Sequence, residues 1–359
     1  MPLTDYVTLG RSGLRVSPLC LGTMTFGEDW GWGSTPTEAA AVLGRYLARG
    51  GNFIDTANVY TKGHSEAIIG EAIGSNRARR DRIVIATKFF GNLYPGDPNA
   101  GGAGRKSLTA ACEQSLRRLK TDYIDLYWMH CWDHHTPIDE TMRALDDLVR
   151  AGKIRYIGFS DTPAWKVVEA QMLARFYGWA PVTAIQISYS LAERTVEGDL
   201  MPMAREFGLG VTPWSPLAGG VLTGKYTRGK APTADRGERV TSALTERNYA
   251  IVDELVRIAR DLNTTAAAIA LAWLQTQPGV TSTIIGARRL DQLDQNLASL
   301  DVKLDDSHRE ALDRVSKPVL NFPADFLQFA PSFMHAGATV NGETSQVPPM
   351  MPKTDAERY

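Results

Sequence analysis

Short apolar runs alternate with amphipathic stretches through most of this chain. Eight runs read as strands: Pro18–Gly22, Phe53–Asp55, Ile83–Lys88, Ile124–His130, Tyr156–Ser160, Ala184–Ile187, Gly210–Trp214 and Thr283–Ile285. Most are too apolar to be half exposed, as expected of parallel strands buried on both faces. Helical periods lie between them. Thr35-Pro36-Thr37-Glu38 is a capping box with proline at the first helical position. Ala39, Val42, Leu43, Tyr46 and Leu47 then share one face, up to Gly50-Gly51. Thr136-Pro137-Ile138-Asp139 predicts the same opening before Met142, Leu145 and Val149. Ser107 is expected to cap a helix with Leu108, Ala111, Leu116 and Leu119 inward, and Thr265–Gln275 forms another, stopped by Pro278-Gly279. Ahead of them all, Tyr6–Val16 reads as a hairpin turning at Gly10-Arg11-Ser12-Gly13.

Eight strands alternating with helices predict an α/β fold, a (β/α)8 TIM barrel with an N-terminal β-hairpin and a long C-terminal tail. A doubly wound sheet is the rival. It would put a glycine-rich phosphate turn after its first strand, and Gly22-Thr23-Met24-Thr25-Phe26-Gly27 has neither GxGxxG spacing nor a helix start. The expected division is a barrel with its hairpin over residues 1–317 and a partly docked tail over 318–359. Two long connections interrupt the alternation, Phe89–Arg105 and Gly219–Val240. In the tail, Asn321–Phe333 holds four phenylalanines, which predicts docking on the barrel. Val340–Tyr359 is expected to be mobile or draped over the surface.

Composition narrows the function. The 359 residues carry a net charge of -1, with a pI near 6.6 and no basic block, so nucleic acid is not the expected partner. There is no apolar run of membrane-spanning length, and Met1-Pro2-Leu3-Thr4-Asp5 is no signal peptide. Cys20, Cys112 and Cys131 show no CxxC spacing, as in a reducing compartment. A cytoplasmic location is expected, with no membrane partner, as a monomer or small homo-oligomer. Cys131 with His134 and His135 fits no common zinc pattern, so no metal is expected. Arg79-Arg80 reads as a solvated helix end or loop.

The polar residues at the strand ends carry the chemistry. Asp55, Lys88 and His130 end the second, third and fourth strands, and Tyr60 follows in the loop after the second. In a barrel, such ends face one bowl. A free tyrosine has a pKa of about 10, and a neighbouring ammonium favours its phenolate. Asp55 can hold that ammonium in place, and His130 can orient a carbonyl oxygen by hydrogen bonding. The set suits delivery of a proton to an oxygen gaining negative charge. No activated Ser or Cys is evident, so hydride from a bound cofactor is the natural nucleophile.

Asp55-Thr56-Ala57 with Tyr60, then Gly63, Ser65-Glu66 and Ile69-Gly70, resembles the aldo-keto reductase signature. So do Lys88, His130 and Gly158-Phe159-Ser160. Trp214-Ser215-Pro216-Leu217 with Gly219-Gly220 is similar to the family's cofactor loop, and Ile285-Gly286-Ala287-Arg288 with Gln292 and Asn296 to its adenosine-phosphate segment. The matches run in family order from about residue 6 to 315. The resemblance implies a reversible, NADPH-dependent reduction of an aldehyde or ketone. Tyr60 would be the proton donor, Lys88 and Asp55 its tuning pair, and His130 the substrate orienter. Thr23, Met24, Asp55, Ser160, Asp161, Gln186, Trp214, Ser215, Leu217, Gly219, Gly286, Arg288, Gln292 and Asn296 would form the cofactor site. Within it, Ser160 and Gln186 would meet the carboxamide, Trp214 the nicotinamide ring and Arg288 the 2′-phosphate, which favours NADPH over NADH.

Three positions depart from the family pattern. Asp161 stands where Asn usually follows the serine, Gln295 where an acid usually precedes Asn296, and Thr61 where glycine often follows the tyrosine. The rival function is a cofactor-sensing regulatory protein like the potassium-channel β subunits of this superfamily, with slow turnover. Trp30, Trp32, Phe89 and Trp132 are the candidate substrate-pocket residues, with Asn321–Phe333 as a further wall. That much aromatic surface predicts a bulky apolar or cyclic carbonyl compound.

Overall fold

The computed structural model describes residues 2–74, 76–226, 228 and 237–358, so residues 227 and 229–236 of the second long connection lie outside the described residues. The hairpin forms as expected, from β1 (Val7–Thr8) and β2 (Arg15–Val16). Eight strands follow: β3 (Leu19–Gly22), β4 (Phe53–Asp55), β5 (Val84–Phe89), β6 (Ile124–Met129), β7 (Ile154–Ser160), β8 (Val182–Ser188), β9 (Gly210–Trp214) and β10 (Thr283–Gly286). Each pairs in parallel with the next from β3 to β9, and β10 returns to pair with β3. The seam between β9 and β10 is drawn together by Thr281 N–H donating to the Val211 carbonyl at 2.9 Å. This is a nearly closed (β/α)8 TIM barrel.

The helices outside the sheet follow the capping chemistry in part. Helix α1 (Pro36–Ala48) starts with the full Thr35–Glu38 capping box. The others in the first half are α2 (His64–Ile69), α3 (Arg77–Arg80), α4 (Arg105–Arg118), α5 (Ile138–Arg150) and α6 (Ala164–Tyr177). In the second half come α7 (Leu200–Phe207), α8 (Gly237–Ser242), α9 (Glu246–Asp261), α10 (Ala266–Gln275), α11 (Leu290–Leu297) and α12 (Asp306–Ser316). Thr265 caps α10 through the Ala268 N–H. Two expected caps fail. Thr136 donates to Asp133 instead, which leaves Pro137 at the cap position of α5, and Ser107 lies inside α4, its hydroxyl bonded back to the Gly104 carbonyl.

Strand alternation divides the core in two. Cys20, Phe53, Val84, Ala86, Leu126, Trp128, Ala184 and Ile284 point inward and fill the barrel. Their neighbours Leu21, Ile54, Ile85, Tyr127, Ile157 and Ile185 point outward to the helix layer. Leu9 and Val16 of the hairpin complete the inner cluster from below. The hairpin crosses the strand starts so closely that a Cβ on Gly10, at φ +59°, would lie 2.5 Å from the Gly210 nitrogen. The lower end of the barrel is therefore plugged, and the open end lies at the C-terminal strand tips.

Two expectations away from that open end are corrected here. Arg80 is almost fully buried, ion-paired to Asp125 at 2.7 Å and stacked on Tyr123, because the short α3 turns it under β5 and β6. The tail phenylalanines do not dock: Phe322, Phe326, Phe329 and Phe333 are all exposed. Their short helices, α13 (Ala324–Leu327) and α14 (Ala330–His335), are too brief to present a continuous apolar face to the barrel.

Candidate active site

Inward parity puts one polar residue from each central strand into the bowl. Beyond Phe53 and Val84, Ala86 come Asp55 on β4 and Lys88 on β5; beyond Leu126 and Trp128 comes His130 after β6. Lys88 is fully buried. Its ammonium donates to Asp55 Oδ2 at 2.5 Å, to the Thr56 carbonyl at 2.9 Å and to Tyr60 Oη at 3.2 Å. Gln186, from β8, donates its amide N–H to Asp55 Oδ1 at 2.9 Å, so both carboxylate oxygens are held. The Tyr60 and His130 rings meet edge to face with centroids 5.9 Å apart. All four residues of the expected tetrad are thus brought together.

Electrostatics fix their charge states. Burial works against the Lys88 ammonium, but Asp55 and then Tyr60 outweigh it and hold the lysine above its ordinary pKa. Burial pushes the half-buried Tyr60 up, and the pull of Lys88 does not reverse it. The phenol therefore stays protonated, as a proton donor requires, while the Lys88 charge eases loss of its proton. Burial, and then the Lys88 charge, lower His130 to about 3, so its imidazole is neutral.

The Tyr60 turn is tightly secured. Thr61 takes φ +46°, the left-handed region that a glycine would enter freely, and its hydroxyl donates to the Phe26 carbonyl at 2.7 Å and accepts the Ser65 N–H at 3.0 Å. Ser65 in turn joins Thr23 and Thr56 in a buried hydroxyl cluster. Sequence reading missed the next layer. The wholly buried Glu66 accepts from Thr87 Oγ1 at 2.5 Å and from Arg118 Nε at 2.7 Å. Ser65-Glu66 stands in the sequence beside the Tyr60 segment, but nothing local to it points to Thr87 or Arg118.

The aromatic residues divide into two groups. Trp30 packs on Trp32 at 5.6 Å and edge-on to Tyr60 at 6.4 Å. Trp132 turns instead to Trp165, at 5.4 Å, and to His134. Phe89 is no pocket residue. Next to the inward Lys88 it must point outward, and it lies fully buried against Tyr127 at 4.9 Å.

Around the bowl, Thr23 donates its hydroxyl to the Asp55 carbonyl, and Met24 is exposed beside it. Ser160 is buried at the tip of β7, and the next residue, Asp161, accepts from the Trp214 indole N–H at 3.0 Å. After β9 the chain turns repeatedly into left-handed backbone, at Ser215 (φ +54°), Ala218 (+48°), Gly219 (+66°) and Gly220 (+98°). Leu217 leads this turn, and a Cβ on Gly219 would meet nothing within 4 Å. Successive turns of this kind gather N–H groups into an anion cradle. Across the rim, Gln292 accepts the Arg288 N–H at 2.9 Å, and Asn296 donates to the Gly286 carbonyl at 3.1 Å. Arg289 is paired with Asp291, whereas the Arg288 guanidinium has no ion pair among the described residues. Also among the described residues, no group of three or more His, Cys, Asp or Glu could hold a metal ion, and no helix is long and apolar enough to cross a membrane.

The model of the aldo/keto reductase family matches residues 18–317, the whole barrel. The chain belongs to the aldo/keto reductase family. It is 39% identical to an uncharacterised oxidoreductase of Bacillus subtilis, over 84% of this chain and 92% of that one. It is 37% identical to a norsolorinic acid reductase of Emericella nidulans, over 89% and 83%. A putative aryl-alcohol dehydrogenase of Saccharomyces cerevisiae is 36% identical, over 88% and 87%. The protein is accordingly an oxidoreductase of carbonyl and alcohol groups, acting on a small molecule. Aldo/keto reductases generally use nicotinamide cofactors, and this chain fits one: the left-handed turn after β9 leaves open space at Gly219, and the Arg288 guanidinium has no ion pair among the described residues.

Proposed function

We propose that the chain is a cytoplasmic, NADPH-dependent carbonyl reductase working reversibly on an aromatic or cyclic aldehyde or ketone. The observation that carries this reading is the Lys88 junction, one buried ammonium bonded to both Asp55 and the Tyr60 hydroxyl. Residues 1–317 form the catalytic barrel, residues 318–359 an appended tail, and the protein acts as a monomer or small homo-oligomer.

Cofactor binding falls to Thr23, Met24, Ser160, Asp161, Gln186 and Trp214 around the nicotinamide, to Ser215, Leu217 and Gly219 along the pyrophosphate, and to Gly286, Arg288, Gln292 and Asn296 at the adenosine end. A bound dihydronicotinamide supplies the hydride. Neutral His130 donates an N–H to the substrate oxygen and orients it. Tyr60 gives its proton to that oxygen as charge develops, and Lys88, fixed by Asp55, stabilises the phenolate left behind. In the oxidative direction the same phenolate takes the proton back.

The substrate class rests on Trp30, which stands edge-on to Tyr60 with Trp32 behind it. The aryl-alcohol dehydrogenase among the relatives supports an aromatic substrate. A panel of carbonyl compounds followed by NADPH absorbance, with NADH in parallel, tests the reading. Aromatic aldehydes or cyclic ketones are expected to give higher kcat/KM than methylglyoxal or glyceraldehyde. Residual turnover on every compound beside tight cofactor binding would favour the regulatory alternative. Arg288→Ala is expected to weaken NADPH by about 1.5–3 kcal/mol, the scale of a charged hydrogen bond, and to leave NADH unchanged. Equal loss for both cofactors would remove Arg288 from the 2′-phosphate.

A further inference from the structure

Asp161 stands where the family usually carries Asn, and its position is tightly defined. Its backbone turns at φ +42°, a left-handed conformation that Asp and Asn tolerate better than most residues. Its N–H donates to the Gln186 carbonyl at 3.2 Å, which ties it to β8. Its Oδ1 accepts from the Trp214 indole at 3.0 Å, which ties it to β9. The side chain is open to solvent on the bowl side of the strand tips. Its charge reaches the bowl, since it acts on both Tyr60 and Lys88. Partial burial at the strand tips raises the Asp161 carboxyl above its ordinary pKa, while the Trp214 indole, the Lys88 charge and Ser160 pull it back towards the ionised form. Of its neighbours, the Lys88 charge is already matched by Asp55, and His130 is neutral.

We propose that Asp161 sets the redox preference of the bound cofactor, stabilising oxidised nicotinamide over reduced and making bound NADPH a stronger hydride donor than an Asn would. This rests on the cofactor reading given above. The oxidised ring carries one positive charge, and addition of hydride, a proton with two electrons, removes it. A fixed carboxylate among Ser160, Gln186 and Trp214 attracts the ring in the charged state only. An amide at the same position is neutral and would treat both states alike. The indole N–H of Trp214 and the Ser160 hydroxyl hold the carboxylate in place, and its other lone pairs are available to the carboxamide NH2 group.

Dissociation constants for NADP+ and NADPH, from quenching of tryptophan fluorescence at about pH 8, test the idea on the whole chain. In Asp161→Asn, affinity for NADP+ relative to NADPH is expected to fall about three- to tenfold, the scale of one partly screened charge. Asp161→Gly suits the same backbone and should shift the ratio equally. Adenosine 2′,5′-bisphosphate, which lacks the nicotinamide, should bind all three proteins alike. An unchanged NADP+ to NADPH ratio in variants that bind both would overturn the role of Asp161 and leave the reductase reading standing. Failure of the native chain to bind either cofactor would overturn both.

Discussion

At the residue scale, the bowl works through charge states set by three neighbours. Tyr60 is held protonated by burial while Lys88 waits 3.2 Å away, so the proton is available and its departure is stabilised. Tyr60→Phe keeps the ring and removes the proton. We expect unchanged cofactor affinity and a loss of kcat on the order of 10²-fold or more. Near-normal turnover would place the acid elsewhere. His130 makes a second expectation. The unfolded chain takes up the imidazole proton near pH 6.5, the folded chain only at about 3. Between those values the unfolded state holds more protons, so the stability contributed by neutral His130 is complete above about pH 6.5 and is lost as pH falls towards 3. Urea midpoints of the native chain and His130→Asn across that window should therefore converge at low pH. In activity, kcat/KM should show no step near 6.5 from this group; a step that vanishes in His130→Asn would mean the imidazole titrates. The tetrad was legible in the sequence because each member ends or follows an apolar run. Phe89 was misread by the same logic taken one residue too far: strand parity sends it outward wherever Lys88 points inward.

At the scale of elements, the site depends on how α2 is fastened to β5. Glu66 bridges Thr87, which immediately precedes Lys88, to Arg118 of α4, and Gly63 packs so near the Arg118 side chain that an added Cβ would lie 3.0 Å from it. The turn between Tyr60 and α2 contains two left-handed residues besides Gly63, namely Thr61 and Lys62, so it would not hold its shape unaided. Glu66→Ala would leave the Arg118 guanidinium without its carboxylate. The expected cost is about 3 kcal/mol, the low end for a broken buried pair because Arg118 keeps some solvent contact. If the bridge also sets the Tyr60–Lys88 spacing, kcat should fall with little change in cofactor affinity, and Glu66→Gln should recover part of both losses. Unfolding midpoints and kcat that match the native protein would show that α2 is held by its apolar contacts alone. None of this was readable beforehand, because a contact between residues 66, 87 and 118 depends on strand-to-helix packing and not on any local period. Local signals were equally ambiguous at Thr136 and Ser107, where a cap-forming side chain found a nearer partner.

At the scale of the whole molecule, the barrel was the most legible feature. Its eight strands are recovered within about two residues of the apolar runs, since double-sided burial leaves an unmistakable stretch of hydrophobic sequence. The tail was the least legible. Four phenylalanines in thirteen residues, 321–333, looked like an anchor. Yet all four are exposed, and the one ring contact among them is between Phe322 and Phe326. No described ring contact joins the tail to Trp30, Trp32 or Tyr60. The barrel meanwhile closes without it. Helix α12 ends at Ser316, whose hydroxyl is held by Arg194 and whose carbonyl is held by Arg247. Beyond that clamp, Leu320 and Ala324 approach the barrel at Gly198. Truncation after Lys317 should therefore leave the unfolding free energy within about 0.5 kcal/mol, as for other changes outside a core. NADPH affinity should stay unchanged, and so should KM for an aromatic aldehyde. A rise in that KM at constant NADPH affinity would show that the tail closes over the bowl during turnover and would restore it as a wall of the substrate site.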